Sequence, residues 1–187
     1  MKKINIIILI LVLTFIMSFG VVQANNSTDT ETVDISATVL GSISLSVVED
    51  MNFGAGTAPQ PNQPDGEVVL TTEGVASIGY TGYWDSADAS AAELDVSGLA
   101  DYVYTVKING DNFAHGTEQN LNNAIVLSTS GGNNLEVTKM TVLESTSNAF
   151  DNDSGSDTLL IGAVLSIPAD YPAGNYTADF EVVVTYE

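Results

Sequence analysis

His115 is the single histidine of the chain, in Phe113-Ala114-His115-Gly116, and the sequence holds neither cysteine nor arginine. A serine nucleophile needs an adjacent base that a third group orients. One isolated histidine after a turn is weak support for that arrangement. Carboxylates are plentiful, with 24 Asp and Glu residues, so close pairs arise from composition alone. Glycoside hydrolysis places two carboxylates about a cleft, normally beside aromatic platforms, and the chain has one tryptophan. These residues point away from an enzyme.

Two other groups could bind rather than react. Asp151-Asn152-Asp153-Ser154-Gly155-Ser156-Asp157 sets three carboxylates, Asp151, Asp153 and Asp157, about a glycine. Calcium takes oxygen ligands from flexible Asp/Asn/Gly loops of this kind. The pattern departs from an EF-hand, because the glycine falls one position early and the late glutamate is missing. A solvated acidic turn accounts for it more simply, so no cofactor is assigned and calcium stays only a weak candidate. Transition metals lack their ligand types here. Tyr80, Tyr83 and Trp84 form an aromatic group at the start of a polar loop. They could stack on sugar faces, or pack back onto the body of the protein.

The elements that must position these residues begin after a targeting segment. Lys2 and Lys3 precede an apolar run from Ile4 to Met17, and Val22-Gln23-Ala24 carries small residues at −3 and −1 of a cleavage site. Residues 1–24 are expected to be a signal peptide and 25–32 a flexible mature terminus. Residues 33–187 are expected to form one domain. No later apolar run is long enough to span a membrane. Loss of Lys2 and Lys3 takes the formal charge from −20 to −22. Such a surface repels nucleic-acid phosphates and anionic lipid. Without cysteine the fold must hold by core burial alone, although export would permit disulfides.

Val, Thr, Ser, Gly, Asn and Asp dominate the mature chain, a mixture that reads as short strands and turns. Val33, Ile35, Ala37 and Val39 alternate with polar residues, and the alternation resumes after Gly41 at Ile43, Leu45 and Val47. This predicts one half-buried strand, or two bent at Gly41. Pro59, Pro61 and Pro64 mark a loop over 58–66. Further strands are predicted over 67–72, 74–80, 92–96, 102–108, 124–128, 135–143 and 158–167. Asn109-Gly110-Asp111-Asn112 and Gly131-Gly132-Asn133-Asn134 are turns. The last strand is the cleanest, with Tyr176, Ala178, Phe180, Val182, Val184 and Tyr186 on one face. Short, unevenly spaced strands favour an all-β, immunoglobulin-like antiparallel sandwich over a barrel.

Three groups of residues also carry a resemblance. Asp50-Met51-Asn52-Phe53-Gly54 follows the first strand, and Ala92-Glu93-Leu94-Asp95-Val96-Ser97-Gly98 leads into Tyr104-Thr105-Val106. Leu160-Ile161-Gly162-Ala163-Val164-Leu165 precedes Pro172-Ala173-Gly174-Asn175-Tyr176 and the final strand. In this order they resemble the bacterial secreted family known as domain of unknown function 4402. That family is similar to spore-coat-protein-U-type proteins and to chaperone–usher fimbrial subunits. Fimbrial subunits typically end in an alternating strand with a penultimate tyrosine and a glycine fourteenth from the end, as Tyr186 and Gly174 stand here. Many also carry a disulfide, which this chain lacks.

The resemblance implies a structural protein exported to the periplasm, the cell surface or beyond. Its partners would be like subunits, or a periplasmic chaperone and outer-membrane assembly factor. Val33, Ile35, Ala37 and Val39 would act as a strand donated to a neighbour, and Gly174, Tyr176, Phe180, Val182, Val184 and Tyr186 would form the terminal strand. The other reading is a secreted adhesin-like module for glycans, or one that attaches through calcium.

Overall fold

A computed structural model describes residues 36, 37, 39, 41–144, 150–152 and 154–187, but not the side chains of 151 and 152. The chain divides into two units, Met1–Thr38 and Val39–Glu187. Only Ser36 and Ala37 are described in the first. The expected signal peptide, the mature terminus, Val33, Ile35 and Asp153 lie outside the described residues.

The second unit is built from strands β1 (Ser44–Glu49), β2 (Ala55–Gly56), β3 (Gly66–Leu70), β4 (Ala76–Ile78), β5 (Trp84–Asp85) and β6 (Ala92–Ser97). There follow β7 (Tyr102–Ile108), β8 (Asp111–Phe113), β9 (Gln119–Ser128), β10 (Asn134–Glu144), β11 (Asp151–Asn152), β12 (Ser156–Ile167) and β13 (Val182–Tyr186). Every strand pairing between them is antiparallel. No helix occurs among the described residues.

The larger sheet runs β1-β6-β12-β10-β9, with β3 and β4 added beside β12. β12 organises it. One of its edges pairs with β10 from Leu159 to Ser166. Its other edge is shared, with β6 along Ser156–Ile161 and β3 along Ala163–Ile167. Gly162 stands at the changeover, where a Cβ would lie 2.6 Å from the Leu70 carbonyl oxygen and 2.9 Å from the Thr71 carbonyl carbon. The chain leaving β3 crosses so closely that only glycine fits. β12 is also nearly continuously apolar from Leu159 to Leu165 and is buried on both faces over much of that length.

β7 is the centre of the smaller sheet, with β13 on one edge and both β8 and β11 on the other. Tyr104, Val106 and Ile108 point inward from it, as period two requires. They join Val68, Leu70, Leu94, Val96, Val142, Leu159 and Ile161 of the larger sheet in one core. The two layers form an antiparallel β-sandwich of immunoglobulin-like type. β10 shows how the alternation is kept. Its inward residues are Leu135 and Val137, then Met140, Val142 and Glu144, and the ladder shifts register between Val137 and Lys139. A bulge absorbs the extra residue and returns the apolar side chains to the core.

The polar pair Asp111 and Asn122 ties the layers at one end. Asp111 accepts from the Asn122 backbone N–H at 2.9 Å and from its side-chain amide at 2.5 Å. The Asn122 side chain first, and its backbone N–H second, hold the Asp111 carboxyl below the usual aspartate value.

Several sequence expectations change. Ala37 and Val39 lie in no strand, and among the described residues the first ladder begins at Ser44. The last strand begins at Val182, not Tyr176, because its partner β7 ends at Ile108 and turns at Asn109–Gly110. β9 extends to Gln119, and β8 forms immediately after the same turn, at Asp111–Phe113.

Gly162→Ala is expected to destabilise the domain by about 1–3 kcal/mol through overpacking against backbone. Urea unfolding should show a lower midpoint, and Gly131→Ala, which meets only side-chain atoms at 3.6 Å or more, should leave it nearly unmoved. The Asp111 tie should contribute its full stability above the unfolded aspartate value and lose it as pH falls through the lower folded value. A carbon-detected NMR titration of Asp111 should accordingly give a midpoint below the ordinary 3.8.

Candidate functional site: an uncovered groove between two free strand edges

Two strand edges on one side of the sandwich have no partner among the described residues. β1 pairs only with β6, and β13 pairs only with β7. Between them lies a groove of about 510 Å³. Leu45 and Val47 of β1 form one wall, and Tyr176, Phe180 and Val182 the other. Its floor is the inner face of the larger sheet, at Leu94, Ile125, Leu127, Val137 and Met140. Val47 and Val48 are 64% and 54% exposed, unusual for adjacent valines in a strand. A second cavity of about 570 Å³ continues past Met51, Phe53, Leu127 and Tyr176, which line both, to Trp84 and Leu165.

The local sequence explains the walls. β1 alternates apolar and polar residues, so Leu45 and Val47 share a face. Tyr186 anchors the far end of β13, where its hydroxyl accepts a 2.5 Å hydrogen bond from the Leu99 N–H. Tyr102 packs against the Tyr186 ring at 5.6 Å. Gly174 stands where a Cβ would lie 2.8 Å from the Thr129 methyl group, which lets the chain entering the wall pass close to the turn after β9.

Most terminal-strand residues picked out in the sequence therefore meet at this groove or brace it. Tyr176, Phe180 and Val182 line it, Val184 and Tyr186 pack on the core, and Gly174 sits at its continuation. Of the segment expected to be donated, Ala37 and Val39 are exposed, Val39 at 93%. The floor residues carry ordinary strand alternation. Nothing in their spacing marks the groove that opens above them.

The aromatic group is divided. Tyr80 packs its ring against Gly66 and Gly82 and donates from its hydroxyl to the Thr57 carbonyl at 2.8 Å. Burial raises the Tyr80 hydroxyl above its ordinary value. Trp84 covers Gly56 and donates from Nε1 to the Phe53 carbonyl at 2.7 Å. Only Tyr83 presents its side chain outward, at 65% exposure. These three residues thus do not form one exposed platform. Tyr80 and Trp84 instead brace the loop that carries β2.

Of the acidic candidates, Asp157 and the backbone of Asp151 are described. Asp157 belongs to β12, opposite Val96, and is 4% exposed. Asp151 pairs through its backbone with Val103 of β7. Asp157 is therefore a core-facing strand residue, not a loop residue. His115 stacks edge-on against Phe150 at 5.3 Å, and its Nε2 lies 3.4 Å from the Glu144 carbonyl oxygen. No serine hydroxyl contacts its ring among the described residues.

The fold and groove define an antiparallel β-sandwich with one flank uncovered among the described residues. The model of the domain of unknown function 4402 (DUF4402) matches residues 42–186, and the chain belongs to that family. No curated protein matches the chain.

Tyr186→Phe removes the acceptor of the Leu99 N–H and is expected to cost about 1 kcal/mol. Chemical denaturation should register that loss, and Tyr83→Phe should change stability by less than ~0.5 kcal/mol, as surface substitutions do.

Proposed function

We propose that this protein is an exported, non-enzymatic structural subunit of the cell envelope or surface. In this reading it assembles by strand complementation, as a fimbria- or coat-like subunit. The observation that carries the reading is the groove between the edges of β1 and β13, unpaired among the described residues, whose walls present Leu45, Val47, Phe180 and Val182 beside the carboxylates of Glu49, Asp50 and Asp179. An open edge with apolar side chains beneath it is a template for another chain. Natural proteins normally cover, shorten or charge such edges.

The occupant the reading favours is the segment Val33–Val39 of a second copy. Its apolar residues alternate, so one face can enter the groove while main-chain groups pair with an edge. Each fully buried Val or Ile side chain contributes roughly 1.5–3 kcal/mol before the costs of ordering. The contact is head-to-tail and does not close, so repetition yields a fibre. A periplasmic chaperone that caps the groove before assembly fits the same logic. The leader pattern of residues 1–24 and the Gly174/Tyr186 pattern support export and the fimbrial analogy.

Electrophoresis of surface extract with and without boiling tests the reading. A heat-sensitive ladder is expected from the natural chain, and none from a variant lacking Thr32–Val39 or carrying Ile35→Asp. A monomer band alone from every form would favour a self-complete sandwich that acts as a binding module.

A further inference from the structure

The apolar alternation of the C-terminal segment starts at Tyr176, but the ladder with β7 starts at Val182. The reason lies in how the edges are used. Asn109 donates to the Glu181 carbonyl at 3.0 Å, and the Glu187 N–H donates to the Val103 carbonyl at 3.1 Å. Hydrogen-bonded pairs in an antiparallel ladder recur at every second residue. Glu181, Val183, Thr185 and Glu187 therefore direct their main-chain groups at β7. Val182, Val184 and Tyr186 direct theirs the other way, to the free edge.

Upstream, Thr177 is held by reciprocal main-chain bonds with Ser128 at 2.9 and 3.2 Å. Glu181 is held at the other end, where its N–H also donates to Asn109 Oδ1 at 2.9 Å. Between these two clamps, Ala178, Asp179 and Phe180 make no main-chain hydrogen bond among the described residues. All three line the groove. Ala178 and Phe180 fall in phase with Val182, Val184 and Tyr186. No proline occurs from Thr177 to Tyr186, so every residue there has an N–H to offer.

We infer that the docking edge for a second copy runs from Thr177 to Tyr186, and that Ala178–Phe180 become strand only when the donated segment lies beside them. This rests on the strand-complementation reading and specifies its surface. The stretch is pinned at both ends, so ordering it costs less than ordering a free loop. Docking replaces water on its main-chain groups with ladder hydrogen bonds. At ~3.3 Å per residue the whole edge spans roughly 30 Å, longer than the ladder of β13 alone and enough to pair all of Val33–Val39.

The test uses the full chain carrying Ile35→Asp, which disables its own donor, mixed with a peptide of sequence Thr32–Gly41. Amide hydrogen exchange is then followed residue by residue. Binding should slow exchange by at least about tenfold at Ala178 and Phe180 as well as at Val182, Val184 and Tyr186. Adding Ala178→Pro, which removes one donor from the proposed edge, should weaken peptide binding at least several-fold and leave the unfolding midpoint of the peptide-free chain unmoved. Protection confined to Val182–Tyr186, with Ala178→Pro harmless to binding, would overturn the longer edge and leave the groove reading standing. Protection of neither stretch would overturn both.

Discussion

β12 is the constraint on which the sandwich depends. It meets three other strands of the larger sheet, and it is buried on both faces across much of its length. With no cysteine in the chain, nothing covalent holds the layers. The ladder of β12 with β10, β6 and β3 has to do so, together with the side chains it places opposite Tyr104, Val106 and Ile108. Gly162 is what lets two partners share one edge of that strand. A side chain there would collide with the backbone leaving β3.

Concentrating the pairing on β12 leaves the flank of the sandwich thin. β1 and β13 each close one sheet, and neither meets a further strand on its outer side among the described residues. Val47 stands exposed, and Leu45, Phe180 and Val182 half-buried, on the walls of the groove, over a floor of β6, β9 and β10 side chains that is itself largely buried. That is an expensive arrangement in water, since exposed apolar area contributes nothing to folding and unpaired edges invite association. A chain that carries so high a negative charge gains solubility through mutual repulsion. Specific strand exchange would then have to supply enough apolar burial and main-chain pairing to exceed that repulsion. Salt should ease assembly for the same reason, because screening shortens the reach of exposed charges.

Much of the fold could be read from residue order. The 102–108 strand matches β7, and the strands about Gly131–Asn134 match β9 and β10 because their turn signals are strong. The strand expected over 92–96 matches β6, and Leu94, Val96, Tyr104 and Val106 of β6 and β7 are core residues. Less legible was whatever depended on a partner strand. The segment Tyr176–Tyr186 alternates cleanly, yet only its second half is strand, since β7 turns away at Asn109–Gly110. Trp84 and Tyr80 read as a loop cluster, but glycines at 56, 66 and 82 draw their rings inward. Asp157 read as loop because its neighbours are Ser, Gly and Asp, and it proves to be a buried position of β12. The groove itself has no local signature. It depends on which strands flank β1 and β13, which no window of sequence records.

The most direct test of strand complementation places a photo-reactive amino acid at Ala37 in a mixture of isotopically heavy and light chains, and maps the crosslinks by mass spectrometry. Complementation between copies predicts heavy–light crosslinks from Ala37 to the groove walls, within Leu45–Phe53 and Tyr176–Val184. Crosslinks that join residues of one chain only, or that fall on surfaces away from the groove, would contradict it.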